Sequence, residues 1–298
     1  MAELPSAVTS PIPATLLCGF LGSGKTTRIN TLIADGEIAN ALFLVNDFGR
    51  INIDAELIES RDDHILRLSN GCACCGIAGD LSAQLRDIRQ WPDRPEHLVF
   101  EASGIARPRP LMQLLDAARG YRLEHAETLL DASAFARHDT DTAINDIFTA
   151  QIREVHHLRI NRVDWLSAVE RADVLQRLAV INSSATTTLE KAGHAPQPAH
   201  PTRRSTPGAE PLVTESVSFD GSIDMAALEA LLADAAPTLL RAKGLVQAND
   251  TPGTCHVVQL AGGRLTFTAT RARNTRALVL IGTPGEALDT LIDALGRL

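Results

Sequence analysis

The stretch Gly19-Phe-Leu-Gly-Ser-Gly-Lys-Thr-Thr27 constrains this chain more than any other. Gly19, Gly24, Lys25 and Thr26 stand at the spacing G-x-x-x-x-G-K-[S/T] of a phosphate-binding loop. Glycines let backbone N–H groups turn inward around phosphate oxygens, where a Cβ would obstruct them. Lys25 supplies charge for the β- and γ-phosphates, and the Thr26 hydroxyl is placed to reach Mg²⁺. Gly22, Ser23 and Thr27 complete the cradle. Thr15 to Cys18 is a short apolar run that reads as a buried strand, and Ile29, Leu32 and Ile33 recur at helical spacing over Arg28 to Ala34. The order strand, glycine loop, helix aims a helix N-terminus at the anion.

The same alternation continues downstream. Ala41 to Asn46, His64 to Leu68, His97 to Glu101, Ala126 to Leu130 and His157 to Ile160 read as strands. Between them lie helical faces: Leu81, Leu85 and Ile88; Leu111, Leu114 and Leu115; Ala143 to Val155; and Val174 to Leu178, after which Ala179 to Ile181 begins a last strand. The expectation is an α/β fold, a P-loop NTPase domain with a mainly parallel sheet and helices on both faces. Ligands of such sheets bind at the carboxyl ends of the strands. The glycine loop, Asn46-Asp47, Glu101 and Asn161 all follow apolar strands and are expected to converge there.

Residues 190–211 hold five prolines and few apolar residues, the composition of a linker. Its His194 and His200 read as solvated. Beyond it Leu228, Leu231, Leu232 and Ala235 form a helical face. Leu265, Phe267 and Ala269 alternate with Arg264, Thr266 and Thr268 as a half-buried strand. Ala277 to Ile281 is another strand, and Leu288, Leu291, Ile292 and Leu295 close the chain as a helix. The division is thus a lead-in at 1–13, a nucleotide domain at 14–189, a linker at 190–211 and a small C-terminal α+β domain at 212–298.

Bulk properties exclude some classes. Of 298 residues 45% are hydrophobic, enough for a sizeable core. A net charge of −8 argues against nucleic-acid binding through a broad basic surface. No apolar run reaches a membrane span, and no signal peptide is visible, which points to the cytosol. The 28 basic residues include only three lysines, Lys25, Lys191 and Lys243.

Three further constellations carry chemistry. Glu101-Ala-Ser-Gly104 follows a strand and offers an acid for Mg²⁺ and a glycine N–H for the γ-phosphate. Asn161-Arg-Val-Asp164 resembles the guanine-reading N-K-x-D, in which a carboxylate accepts from the two donors on the guanine edge. Arg162 stands at the lysine position, where its plane is able to stack on the base. Gly71-Cys72-Ala-Cys74-Cys75-Gly76 places three of the five cysteines within four residues. Such thiolates suit Zn²⁺ or Cu(I), with Asp47, Glu37 or a partner's side chain as a fourth zinc ligand. Redox sensing is the rival reading of this cluster. Cys18 and Cys255 read as core. Asn46 to Asp54 is a candidate switch segment whose Asp47 would serve Mg²⁺ and catalysis beside Lys25 and Glu101.

Taken together these motifs resemble the CobW family of P-loop GTPases, relatives of the urease and hydrogenase nickel-insertion GTPases. Ser216-Val-Ser-Phe219 and Arg241-Ala-Lys-Gly-Leu-Val246 resemble that family's C-terminal domain. The resemblance implies GTP hydrolysis coupled to delivery of a transition metal, zinc first and cobalt behind it, to a client metalloprotein. It assigns Lys25 and Thr26 to phosphate and Mg²⁺, Cys72, Cys74 and Cys75 to the delivered metal, and Asn161 and Asp164 to the base. Val155-His156-His157 departs from the family's Ala-Asp, and both histidines read as surface or strand-packing residues. A small-molecule P-loop kinase and a non-enzymatic zinc sensor or store are the alternatives.

Overall fold

The computed structural model describes residues 10–35, 38, 40–45, 65–67, 77–192, 212–250, 253–261, 263–270 and 276–298. Strands β1 (Ile12–Cys18), β2 (Ala41–Val45), β3 (Ile65–Arg67), β4 (His97–Glu101), β5 (Tyr121–Asp131), β6 (His157–Asn161) and β7 (Thr186–Leu189) form one sheet. Among the described residues its order is β3-β2-β4-β1-β5-β6-β7, and every pairing is parallel. The helices between these strands are α1 (Lys25–Asp35), α2 (Ile77–Ile88), α3 (Pro108–Ala117), α4 (Phe135–Thr140), α5 (Asn145–Arg153) and α6 (Ala168–Ile181).

Burial on both faces explains the unbroken apolar runs of the central strands. Leu16, Leu42, Leu44, Leu98 and Phe100 pack against Leu81, Leu85, Leu115, Phe148 and Leu178 on one face. Leu17, Phe43, Val45 and Val99 pack against Ile29 and Leu32 of α1 on the other. Cys18 and Cys255 are both buried free thiols, as expected of core positions.

Ala179 to Ile181 is the correction. These residues are the last turn of α6, and the strand comes later, as β7. A capping box between Ser167 and Glu170 starts the helix firmly, and Asn182 stops it, its side-chain amide donating to the carbonyls of Ile152 and Val155 at 2.9 Å. Strand β7 escapes hydrophobic pattern reading because it is a polar edge, Thr-Thr-Thr-Leu. His156 is exposed, and His157 bonds to the hydroxyls of Thr186 and Thr188 at 2.9 and 3.1 Å, so it packs between strands as expected.

The C-terminal unit is an antiparallel sheet of order β11-β10-β9-β12-β8. It comprises β8 (Val213–Ser218), β9 (Leu239–Gln247), β10 (Cys255–Ala261), β11 (Arg264–Thr270) and β12 (Ala277–Gly282), with helices α7 (Met225–Ala235) and α8 (Glu286–Leu295). Both helices cover one face, with Leu228, Leu232, Leu288, Leu291 and Leu295 against Ala242, Val246, Val258 and Leu278. Across the molecule, Ile281 of this sheet joins the core of the first unit.

One buried charge sets α1 in place. Glu127 on β5 is 2% exposed and pairs with Arg28 of α1 at 3.5 Å and Arg159 of β6 at 3.1 Å. Burial raises its pKa, but the bond from His125 and the charges of Arg159 and Arg28 outweigh that and hold it at about 2. Its ordinary value is 4.5, so its contribution is complete above pH 4.5 and is lost as pH falls toward 2. Replacing Glu127 by Ala removes the carboxylate shared by Arg28 and Arg159 near the core and is expected to cost about 3 kcal/mol, read from urea unfolding at pH 7.

Candidate nucleotide site

Strand β1 ends at the switch point of the sheet, between β4 and β5, and Gly19 to Gly24 leave its carboxyl end. The loop has the turned backbone its motif demands. Gly24 has φ +100°, and a Cβ there would lie 2.9 Å from the Asn161 amide. Lys25 is buried, and its ammonium donates to the Gly19 carbonyl at 2.8 Å. Helix α1 starts at Lys25 with no acidic residue in its first turn, which leaves its dipole available to an anion.

The other predicted groups arrive from neighbouring strand ends. Glu101 ends β4 opposite Leu17 of β1 and is 2% exposed. It lines one cavity of about 290 Å³ with Gly22, Gly24, Lys25, Thr26 and Thr27. Glu101 and Thr26 present there the oxygen donors that a hard cation such as Mg²⁺ takes. Ser23 Oγ is buried in the loop without a hydrogen-bond partner, as an anion-binding cradle allows. Gly104 lies against the loop, where a Cβ would meet Leu21 Cδ2 at 2.4 Å and Leu21 N at 3.1 Å. The buried Gln151 amide fixes that approach by donating to the carbonyls of Gly104 at 3.1 Å and Ala106 at 2.9 Å.

Asn161 ends β6, and its amide donates to the Ser23 carbonyl at 2.6 Å. The segment from Asn161 to Asp164 is thereby tied to the glycine loop. Arg162 takes a left-handed backbone, φ 57°. Its guanidinium pairs with Asp131, reaches the Gly22 carbonyl at 3.3 Å and lies 5.3 Å over the Trp165 ring. Asp164 is exposed and accepts from Ala192 N at 2.8 Å. Asp47, Glu37, Cys72, Cys74, Cys75, His194 and His200 lie outside the described residues. Among the described residues no cluster of His, Cys, Asp and Glu could hold a metal ion.

Several residues of the cavity were not assigned to the site from sequence. Arg241 and Lys243 of β9 line the same cavity as Lys25. Arg264 of β11 lies 3.9 Å from Asp131 and 5.1 Å from the centroid of the Trp165 ring. The signal was an Arg-x-Lys alternation in a strand whose other face is apolar. His138 of α4 was also missed. Its ring packs 4.8 Å from Phe20 of the phosphate loop and 5.2 Å from Phe148.

A family model described as CobW/HypB/UreG, nucleotide-binding domain, matches residues 13–188. A second, described as Cobalamin synthesis protein cobW C-terminal domain, matches residues 212–297. A zinc chaperone CobW of a Sinorhizobium species is 28% identical over 185 residues, 53% of this chain and 52% of that protein. The zinc chaperone YjiA of Escherichia coli K12 is 32% identical over 184 residues, 59% of this chain and 56% of that protein. The chain thus spans about half the length of the curated relatives it matches. The crystal structure of Zn(II)-bound YjiA GTPase from E. coli aligns over 97% of this chain and 99% of that one, at 20% identity and a TM-score of 0.43.

The environment of His138 makes the floor of the phosphate loop sensitive to acid. Burial, assisted by the adjacent Arg137 charge and opposed by Asp131, pushes its pKa down to about 3 from 6.5. The unfolded chain therefore takes up a proton below pH 6.5 that the folded chain refuses, so stability falls as pH drops from 6.5 toward 3. Between pH 7 and pH 5 this group is expected to cost the protein on the order of 2 kcal/mol. Urea unfolding of wild type and His138→Phe at both pH values checks it, since the gap between the two proteins should narrow or reverse at pH 5 by that amount.

Proposed function

We propose, for a chain that belongs to the CobW/HypB/UreG family of nucleotide-binding proteins, that it hydrolyses GTP and uses the cycle to bind and release a transition metal for a client metalloprotein. The observation that carries this is one cavity lined by Lys25, Thr26 and Glu101, beside a base-reading Asn161 bonded to the phosphate loop. The zinc chaperone names of the relatives support zinc as the cargo, with cobalt behind it.

In this reading residues 14–189 act as the switch, 190–211 as the linker and 212–298 as the C-terminal domain, in the cytosol. No helix among the described residues is long and apolar enough to cross a membrane. Backbone N–H groups of Gly22 to Thr27 take the phosphate oxygens, and Lys25 moves its ammonium from the Gly19 carbonyl onto the β- and γ-phosphates. Thr26 and Glu101, with Asp47, would hold Mg²⁺, which supplies charge neutralisation for the departing GDP oxygens. Glu101 and Asp47 also orient the water that attacks the γ-phosphorus. Asp164 accepts from the guanine edge. Arg162 holds the loop to Asp131 and Gly22 and leaves the stacking face to other groups.

Cys72, Cys74 and Cys75 bind the cargo. The segment Asn46 to Asp54 couples them to the γ-phosphate, so metal affinity differs between the GTP and GDP states. Linkage then requires metal to change GTP affinity by the same factor that GTP changes metal affinity. A small-molecule kinase would leave Asp164 and the cysteines without a role.

The test is GTP titration with and without Zn²⁺ under anaerobic conditions. A shift of roughly 5- to 150-fold is expected, and equal affinities would remove the coupling. Serine at all three cysteines should abolish tight zinc binding and leave GTP binding intact. Lys25→Ala should cut turnover by about a hundredfold or more.

A further inference from the structure

The C-terminal sheet presents two different faces. On β9, Ala242 and Val246 point into the core beneath α7 and α8. Strand alternation sends Arg241 and Lys243 the other way, and both line the cavity of Lys25, Thr26 and Glu101. The sheet reaches the phosphate loop itself. Ala261, the register partner of Arg241, has its Cβ 2.6 Å from where a Cβ on Gly22 would stand. Gly22 has φ +79°, so both conformation and contact exclude a larger residue there.

Charge distribution in this cavity runs against that of the chain. The protein carries a net charge of −8. Yet among the described residues that line the cavity, Lys25, Arg162, Arg241 and Lys243 stand with the carboxylate of Glu101. Of the chain's three lysines, two face this one space. Lys243 is 5% exposed and lines this cavity together with Lys25. A polyphosphate is the anion whose charge and shape match a loop of N–H groups on one side and two cations on the other.

We propose that Arg241 and Lys243 contact the terminal phosphate of the bound nucleotide in cis, forming a clamp that distinguishes triphosphate from diphosphate and ties the C-terminal sheet to the nucleotide state. This rests on the phosphate-loop reading above. Two positive groups on the outermost phosphate lose their contact when that phosphate leaves, so the sheet is held more firmly in the GTP state. Arg264, Trp165 and Arg162 keep the sheet near the base-reading segment in both states.

The experiment uses the intact chain and an acyl-phosphate derivative of GTP. A lysine ε-amine attacks its acyl carbon, an amide forms and the nucleotide phosphate departs. Peptide mapping then reads which lysine lay beside the terminal phosphate. Labelling of Lys25 and Lys243 but not Lys191, both suppressed by excess GTP, is the expected result. Lys25 alone would overturn the clamp and leave the phosphate loop standing. Labelling of neither would overturn both. In parallel, Arg241→Gln and Lys243→Gln should each weaken binding of a non-hydrolysable GTP analogue about tenfold, with GDP affinity changed less than about threefold, and Lys243→Arg should recover most of the loss. Equal losses for both nucleotides would also count against the clamp, since a merely structural role affects them alike.

Discussion

Strand β1 hydrogen-bonds to β4 on one side and to β5 on the other, and everything at the nucleotide site depends on that position. A strand in the middle of a parallel sheet is covered on both faces, so its loop has only the carboxyl edge as an exit. The neighbours arrive in the same direction and end at the same edge. Glu101 comes from β4, Asp131 from β5 and Asn161 from β6. A group at the end of any of these strands is within one or two strand spacings of the phosphate loop. The site is therefore a property of the topology, and individual side chains refine it.

Much of this was legible in the residues. The glycine loop has a spacing that only a narrow set of backbone conformations satisfies. The central strands are apolar throughout because both faces are buried. Glu101 and Asn161 were placed correctly because each ends such a run. What pattern reading missed has physical causes. Ala179 to Ile181 is β-branched and apolar enough to suggest a strand, but the capping box at Ser167 propagates a helix through it. Strand β7 is polar because it is an edge. Strand β9 is interrupted by Arg241 and Lys243, which oppose the phosphate loop instead of solvent, so its two faces do not read as apolar and wet. No local signal marks Arg162 as the partner of Asp131 and Trp165, since that arrangement forms only when β5, β6 and β11 meet.

Bonds between loops hold the site together. Asn161 reaches the Ser23 carbonyl, Gln151 grips Gly104 and Ala106, and Arg162 spans Asp131 and the Gly22 carbonyl. They connect segments that would touch the ligand to one another and to segments that do not. Displacement of any one of them is thus felt by the others through short, directional contacts in a region sheltered from water, where such bonds are worth most.

Glu127 gives this arrangement a further meaning. It fixes Arg28, which lies one turn along from the start of α1, against the underside of the sheet. The anion-binding end of the helix is consequently oriented when the chain folds. None of the free energy released by a nucleotide has to be diverted into steering it, which is preorganisation in the sense used for tight ligands. The entropy of holding that helix end still is charged to folding, in a carboxylate that water cannot reach.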